Sequence, residues 1–216
     1  INGIFYVNDI IARDMGTTTE LYIAVGSTPF ANTGFNEPPF NVLGRADRGI
    51  YRSTDNGNNW QRINITVSGQ NINANDLELD INNNIWVATT SDIFGVPGGR
   101  IYQSSNGTNF TLRHTVPNAQ RTEIEVSSQS ADVFYIAAEV DNEADLFITT
   151  DAFTTVRPLN EPDAADDNIP ATDFARGQAF YDLEIEVDPN DDNILYIGGI
   201  DLFRAVSYTH LRAHET

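Results

Sequence analysis

Carboxylates alternate with aliphatic residues in three short runs of this chain. Asp76, Glu78 and Asp80 interleave with Leu77 and Leu79, Glu123 and Glu125 with Ile124 and Val126, and Asp182, Glu184 and Glu186 with Leu183, Ile185 and Val187. In an extended strand residues i and i+2 share a face, so each run presents acids on one side and apolar groups on the other. A further acid, Asp9, opens "NDIIAR". Acids brought together in this way have two chemical uses. A pair about 5–10 Å apart, one with a raised pKa, can cleave a glycosidic bond. A cluster of carboxylate oxygens can hold a hard cation such as calcium. On the first reading Asp76, Asp182 and Glu184 are the candidate catalytic residues. The structural alternative is that acids repeated at equivalent positions face water or hydrogen-bond a neighbouring element. Repetition favours it, because a catalytic pair is unique.

A second stretch poses the same choice. In "YRSTDNGNNW", Tyr51 to Trp60, Asp55 could act chemically, or Ser53, Asp55, Gly57 and Trp60 could form a structural clasp. Ser and Asp bond readily to loop backbone, Gly accepts positive φ, and Trp offers a large packing face. Worn copies occur elsewhere. "SSNGTNF" keeps Gly107 and Phe110, with Ser105 where the acid is expected, and "TTDAFTTV" keeps Thr149 and Asp151. A motif that recurs once per unit reads as a clasp.

The elements that must position these residues form a repeat. The acid-led runs are each followed by a polar turn and a hydrophobic strand: "LYIAVG", "IWVATT", "VFYIAA" and "ILYIGG". A third strand follows ("GIYRS", "RIYQS", "DLFIT", "DLFRA"), and in three units a fourth ("WQRINITV", "FTLRHTV", "VRPL"). The runs are short, β-branched and bounded by Asn, Asp, Gly and Pro, with no sustained helical period. Four short strands per unit of about 40–50 residues is the pattern of a β-propeller blade. The expected fold is therefore all-β: a partial β-propeller of four-stranded antiparallel blades, three complete and one truncated. The blades fall at about 7–67, 74–117, 121–159 and 180–205 within a unit of residues 1–205.

Ser-x-Asp-x-Gly-x-x-Trp resembles the Asp-box, or BNR repeat, of sialidase-like and sortilin-like propellers. The segment "EIEVDPNDDNILYIGGIDLF" is similar to blades of bacterial BNR-repeat glycosyl-hydrolase-like proteins and xyloglucan hydrolases. The resemblance covers about Val7 to Ala205. It implies that the boxes lie on the outer rim and that ligands bind near the axis, where first strands line a channel. Because the family includes enzymes, receptors and assembly factors, membership alone does not fix function. A sialidase would also need an arginine cluster, and Arg13, Arg45, Arg48, Arg100 and Arg121 form no recognisable motif.

Composition bounds the partners. Thirty-one acids against 12 Lys and Arg give a formal charge of -19, which repels nucleic acid. No apolar run approaches a membrane span, so no membrane insertion is expected. The absence of cysteine excludes disulfides and thiolate sites. No cofactor is implied, apart from calcium at the acidic loop "DPNDDN", Asp188–Asn193, which also reads as a turn. "NEPDAADDNIPATD", Asn160 to Asp173, reads as a solvated acidic connection. The insertion Ser27–Arg48 carries Phe30, Phe35 and Phe40, candidates for stacking on a sugar or a protein partner. The chain starts at Ile1 within a strand-like run, so it is expected to be part of a larger propeller whose missing blades are its natural partners. Residues 206–216, with His210 and His214, change character and resemble a non-native read-through tail. These readings converge on an exported or cell-surface binding or scaffold module for a carbohydrate or protein ligand. The alternative is a glycoside hydrolase, sialidase-like or xyloglucanase-like, completed by other blades.

Overall fold

A computed structural model describes residues 7–26, 47–92, 95–162, 169–170 and 172–206. The aromatic insertion with Phe30, Phe35 and Phe40, and the histidines of the C-terminal segment, lie outside the described residues. The first sheet runs through β1 (Val7–Asp14), β2 (Thr19–Val25), β3 (Gly49–Ser53) and β4 (Gln61–Ile63). A small hairpin of β5 (Thr66–Val67) and β6 (Gln70–Asn71) leads to the second sheet. That sheet comprises β7 (Ala74–Leu79), β8 (Ile85–Thr89), β9 (Arg100–Ser104) and β10 (Thr111–Thr115). The third comprises β11 (Ala119–Val126), β12 (Phe134–Val140), β13 (Glu143–Thr149) and β14 (Arg157–Pro158). A short helix, α1 (Ala179–Asp182), precedes the fourth sheet of β15 (Glu184–Asp188), β16 (Asp191–Gly198) and β17 (Leu202–Val206). Strands neighbour in chain order within each sheet and pair antiparallel throughout. The chain is an arc of a β-propeller: three four-stranded blades and a three-stranded fourth.

Stacking explains the strand composition. A blade between two others must bury both faces, and β8 is buried along its whole length and apolar up to its last residue, Thr89. Tyr22, Ala24 and Ile50 of the first blade pack on Leu77, Ile85 and Val87 of the second. Trp86, Ala88 and Ile101 pack on Ile124, Phe134 and Ile136 of the third. Tyr135, Ala137 and Leu146 pack on Ile185, Leu195 and Ile197 of the fourth. Trp86 is the largest buried side chain. Its ring lies 4.4 Å from Phe134 and 5.3 Å from Phe153, centroid to centroid, and its indole N–H donates to Asp80 (2.9 Å).

Strand register defines equivalent positions and corrects one expectation. Asp9 pairs with Ala24, Asp76 with Ala88, Glu123 with Ala137, and Glu184 with Gly198. Glu184, not Asp182, therefore occupies the first acid position of the fourth blade. Asp182 ends α1, where its N–H and that of Tyr181 both turn back to the Gln178 carbonyl (3.2 and 2.8 Å). The alternation of "YDLEIEVD" begins before the strand does.

Candidate functional site

The first strands form the inner wall, and each of the first three carries a register shift at its start, at Asn8, Asn75 and the Gln120–Arg121 pair. Such bulges re-aim side chains. In the first two blades the result is an Asn–Asp latch onto the next blade. The Asn8 amide donates to the Ala74 carbonyl (2.9 Å), while Asp9 Oδ2 accepts the Leu77 N–H (2.9 Å). The Asn75 amide donates to the Thr122 carbonyl (3.1 Å), while Asp76 Oδ2 accepts the Ile124 N–H (2.6 Å). The third blade has Thr122–Glu123 instead, and the latch changes. Glu123 accepts from Asn75 (2.8 Å) and from Arg121 (2.7 Å). Arg121 also donates to the Tyr181 carbonyl (2.6 Å) and the Leu183 carbonyl (3.2 Å), holding the chain that enters the fourth blade. Glu125 accepts the Val187 N–H.

These acids converge on a cleft of about 480 Å³ whose wall includes Asp9, Asp76, Glu78, Glu123, Glu184 and Glu186, with Phe180 and Tyr181 at its side. Every perturbed carboxyl in it is shifted upward, and burial is the main cause. Burial, then Glu123 and Glu78, raises Asp76 well above the ordinary range. Burial, then Asp9 and Glu186, pushes Glu78 up to about 8. Glu123 reaches only about 7, because Arg121 opposes its burial. Glu125, buried outside the cleft lining, is pushed up to about 9 by burial and by Glu78 and Glu186. Glu184 is raised by burial against the pull of Arg121. Burial and neighbouring acids thus tilt Glu78 and Glu125 toward the neutral carboxyl at pH 7. Asp182, raised by burial, sits outside this wall on α1.

The predicted catalytic set is thus divided. Asp76 and Glu184 share the cleft, whereas Asp182 does not line it. Sequence reasoning passed over Arg121 as an organising cation and Asn8 and Asn75 as cross-blade donors. The Asn-Asp dipeptide repeated at the head of two units was the available signal.

The clasp residues lie at the β3–β4 type of hairpin. Ser53 Oγ accepts the Gly57 N–H (2.9 Å) and donates to Asp55 (2.8 Å), which in turn accepts the Asn59 N–H (2.8 Å). Those bonds hold the Asp55 carboxyl below its usual range, Asn59 contributing most. Trp60 donates its indole N–H to the Gly57 carbonyl (2.9 Å). Thr149 and Asp151 repeat the pattern, with the Phe153 N–H on Thr149 (3.0 Å) and the Thr155 N–H on Asp151 (2.8 Å). In the second blade Asn106, not Ser105, takes the acid's place. Its Oδ1 accepts the Thr108 and Asn109 N–H groups (3.0 and 2.8 Å), while Ser104 Oγ accepts from Gly107 (2.9 Å). Phe110 follows, packed against the core between the first two blades. A carboxamide oxygen accepts as a carboxylate does, so the turn survives the loss of one residue.

Asp188 and Asp191 bond within their own turn, to the Asn190 and Asn193 N–H groups (2.9 and 3.0 Å). Asp192 is bound by Ser127 of the third blade. Among the described residues, no group of three or more His, Cys, Asp or Glu side chains is arranged to hold a metal ion, the "DPNDDN" turn included.

No family model matches the chain, and no curated protein matches it in sequence. Solved structures do match in fold. The Niastella koreensis GH74 enzyme superposes with a TM-score of 0.59 at 17% identity over 94% of this chain and 30% of its own. The GH74 xyloglucanase of Xanthomonas campestris gives 0.62 at 14% identity over 96% of this chain and 30% of its own. YCF48 bound to a D1 peptide gives 0.52 at 9% identity over all of this chain and 56% of its own. The chain thus spans about a third of the GH74 chains and just over half of YCF48.

Proposed function

We propose that this chain is a propeller binding module of the Asp-box type, exported or cell-surface, spanning residues 1–205, with its ligand at the acidic axial cleft. The observation that carries this reading is the employment of the acids. Asp9 and Asp76 spend a carboxylate oxygen on the backbone of the next blade, which is a structural task repeated around the axis and a poor basis for a unique catalytic pair. The remaining wall suits a carbohydrate. Burial and neighbouring acids tilt Glu78 in that wall toward its neutral, hydrogen-bond-donating form at pH 7, and the exposed ring of Tyr181 flanks the cleft as a stacking platform. Natural partners are a glycan or a protein ligand, with further blades of a larger propeller beside it. The test is a glycan-array screen followed by calorimetry on the best ligand. Glu78→Gln should weaken binding at least tenfold with the melting curve retained, and a binding constant indifferent to Glu78→Gln and Tyr181→Ala together would refute the site.

A second reading, a glycoside hydrolase, is favoured by a specific pair of observations. Two of the fold neighbours are GH74 enzymes, and a carboxyl held near 8, as Glu78 is, stands in the general-acid form at neutral pH. Release of reducing ends from xyloglucan, lost in Glu78→Gln, would establish it. Binding without turnover across a panel of polysaccharides would rule it out.

A further inference from the structure

The clasp hairpins differ in the residue that follows the turn's acceptor. In the first, Asn56 stands between Asp55 and Gly57. In the third, Ala152 stands between Asp151 and Phe153. In the second that residue is absent, and Asn106 is followed directly by Gly107. Two hairpin tips therefore carry an Asn-Gly pair, and the structure gives their amides opposite roles. Asn106 Oδ1 is itself the acceptor of its turn, bound by the Thr108 and Asn109 N–H groups (3.0 and 2.8 Å) and by the Ser104 hydroxyl (3.2 Å). Asn56 has no such task, because Asp55 accepts the Asn59 N–H (2.8 Å) in its place. The Asn56 side chain is exposed and makes no hydrogen bond among the described residues. The other two amides of the loop are held, Asn58 on the Asp55 carbonyl and Asn59 on the Asp55 carboxylate (2.6 Å each).

An asparagine followed by glycine carries a latent reaction, because no side chain shields the glycine nitrogen. A base takes the proton of that nitrogen, which attacks the asparagine Cγ. The N–Cγ bond forms, the Cγ–Nδ2 bond breaks and ammonia leaves, giving a succinimide ring. Water then opens the ring at Cγ to give aspartate, or at the backbone carbonyl to give isoaspartate, whose chain runs through Cβ and Cγ. Water and hydroxide are the co-reactants. Both hairpins restrain the nucleophile alike, since the Gly57 N–H donates to Ser53 Oγ and the Gly107 N–H to Ser104 Oγ (2.9 Å each). The electrophiles differ: the Asn56 amide is free to turn onto its glycine, and the Asn106 amide is fixed in the turn. The fold does not depend on the Asn56 amide, because Ala152 and Phe153 adopt the same pair of positive φ angles (+51° and +71°) as Asn56 and Gly57 (+58° and +81°). Nor does exposure of the tip depend on what precedes the first blade. Ser105, Asn106 and Thr108 are exposed with the first blade in front of them.

We infer that Asn56 is a site of spontaneous deamidation, at which the clasp of the first blade converts to aspartate and isoaspartate while Asn106 keeps its amide. The aspartate form preserves the length of the turn and sets a second carboxylate beside Asp55. The isoaspartate form adds a carbon to the backbone between Ser53 and Gly57. That displaces the two bonds that close the clasp, from the Gly57 N–H to Ser53 and from the Trp60 indole N–H to the Gly57 carbonyl (2.9 Å each). The modification loosens the β3–β4 hairpin at the rim and is independent of what the axial cleft binds.

The experiment is timed incubation of the 216-residue chain at mildly alkaline pH, followed by cleavage after arginine and peptide mass spectrometry. Cleavage separates the two sites into the peptides Ser53–Arg62 and Ile101–Arg113. Replacement of the amide NH2 by OH reads as a mass gain, fragmentation assigns it to a residue, and isoaspartate elutes as a second peak of the same mass. In the folded chain Asn56 should be lost at least tenfold faster than Asn106, Asn58 or Asn59, which react only when the hairpin opens. In urea, where neither hairpin persists, the ratio of Asn56 to Asn106 should fall toward one. Asn56→Gln, at an exposed position and needing a larger ring, should remove the early mass gain from Ser53–Arg62. An Asn106 lost as fast as Asn56 in the folded chain, a ratio unchanged by urea, or an early mass gain that survives Asn56→Gln would overturn the inference. So would an Asn56 that keeps its amide in the folded chain while the urea-unfolded chain loses it.

Discussion

Replacing Asp76 separates the two jobs an axial acid can have. Its Oδ2 is the acceptor for the Ile124 N–H at 2.6 Å, and Ile124 is buried. Asp76→Ala leaves that donor without a partner, a loss of about 1–3 kcal/mol. For a chain of this size each kcal/mol moves Tm by roughly 2–4 °C, so the midpoint should fall by about 2–12 °C. Asp76→Asn keeps a carbonyl oxygen for Ile124 and removes the charge. The pH dependence then tells the two variants apart. Burial, then Glu123 and Glu78, raises the Asp76 carboxyl above its unfolded value. The folded state therefore holds the extra proton, and the stabilisation is complete below the unfolded pKa of about 3.9 and is lost as pH rises through the folded one. Glu123, Glu78 and Glu125, at about 7, 8 and 9, act with the same sign. The wild-type Tm should thus fall steadily from about pH 5 to about pH 9. Asp76→Asn should match the wild type at the acid end and exceed it at the alkaline end. Asp76→Ala should lie below the wild type at the acid end, with the gap narrowing as pH rises. Scanning calorimetry across that range is the assay. A wild-type Tm that does not change with pH, or Asp76→Ala as stable as wild type at about pH 5, would refute the reasoning.

Three further substitutions probe the joints between strands and blades. Ser53→Ala removes the acceptor of the Gly57 N–H and the donor to Asp55, and should cost about 1–2 kcal/mol in urea unfolding while leaving ligand affinity unchanged. Gly57→Ala and Gly107→Ala both force a side chain into positive φ (+81° and +74°), a strain of about 1–2 kcal/mol. Only Gly107 also has a tyrosine hydroxyl, that of Tyr22 in the preceding blade, at 2.0 Å from the new methyl, so its Tm should drop at least twice as far, and equal drops would dismiss that cross-blade contact. Trp86→Ala empties the contact with Phe134 and Phe153 and removes one of the four donors to Asp80, for a loss of about 3–5 kcal/mol in denaturant titration.

The repeat was legible because its strands keep a two-residue period and its turns keep Asn, Asp and Gly. Ile50, Ile101, Leu146 and Leu202, matched by sequence alone, do occupy one row of the blades. The start of the fourth first strand was not legible. "YDLEIEVD" alternates without interruption, and only the Gln178 carbonyl, capturing two N–H groups, shows that Asp182 belongs to a helical turn. Asn106 was hidden for a related reason. One residue is absent between the acceptor and the glycine of that hairpin, so counting back from Gly107 placed Ser105 at the acid's position, whereas Asn106 keeps the two-residue spacing from Ser104 that Asp55 keeps from Ser53. The cross-blade donors Asn8, Asn75 and Arg121 depend on distances between strands far apart in sequence, about which a local pattern carries no information.

The two acid rows at the axis have different origins. The first row, Asp9, Asp76, Glu123 and Glu184, is acidic in every blade, and in the first two blades each acid satisfies a backbone N–H of its neighbour. Blade stacking accounts for that row whatever the protein binds. The second row consists of Glu78, Glu125 and Glu186, with Ile11 at the same register in the first blade. A position that stacking fills with isoleucine in one blade does not require an acid in the others. Glu125 is spent, like the first row, on a backbone N–H of the next blade, that of Val187, whereas Glu78 lines the cleft and bears the burial and repulsion that push it to about 8. Under the proposed function a ligand would offset that cost, so Glu78 is the axial acid whose replacement should change binding most.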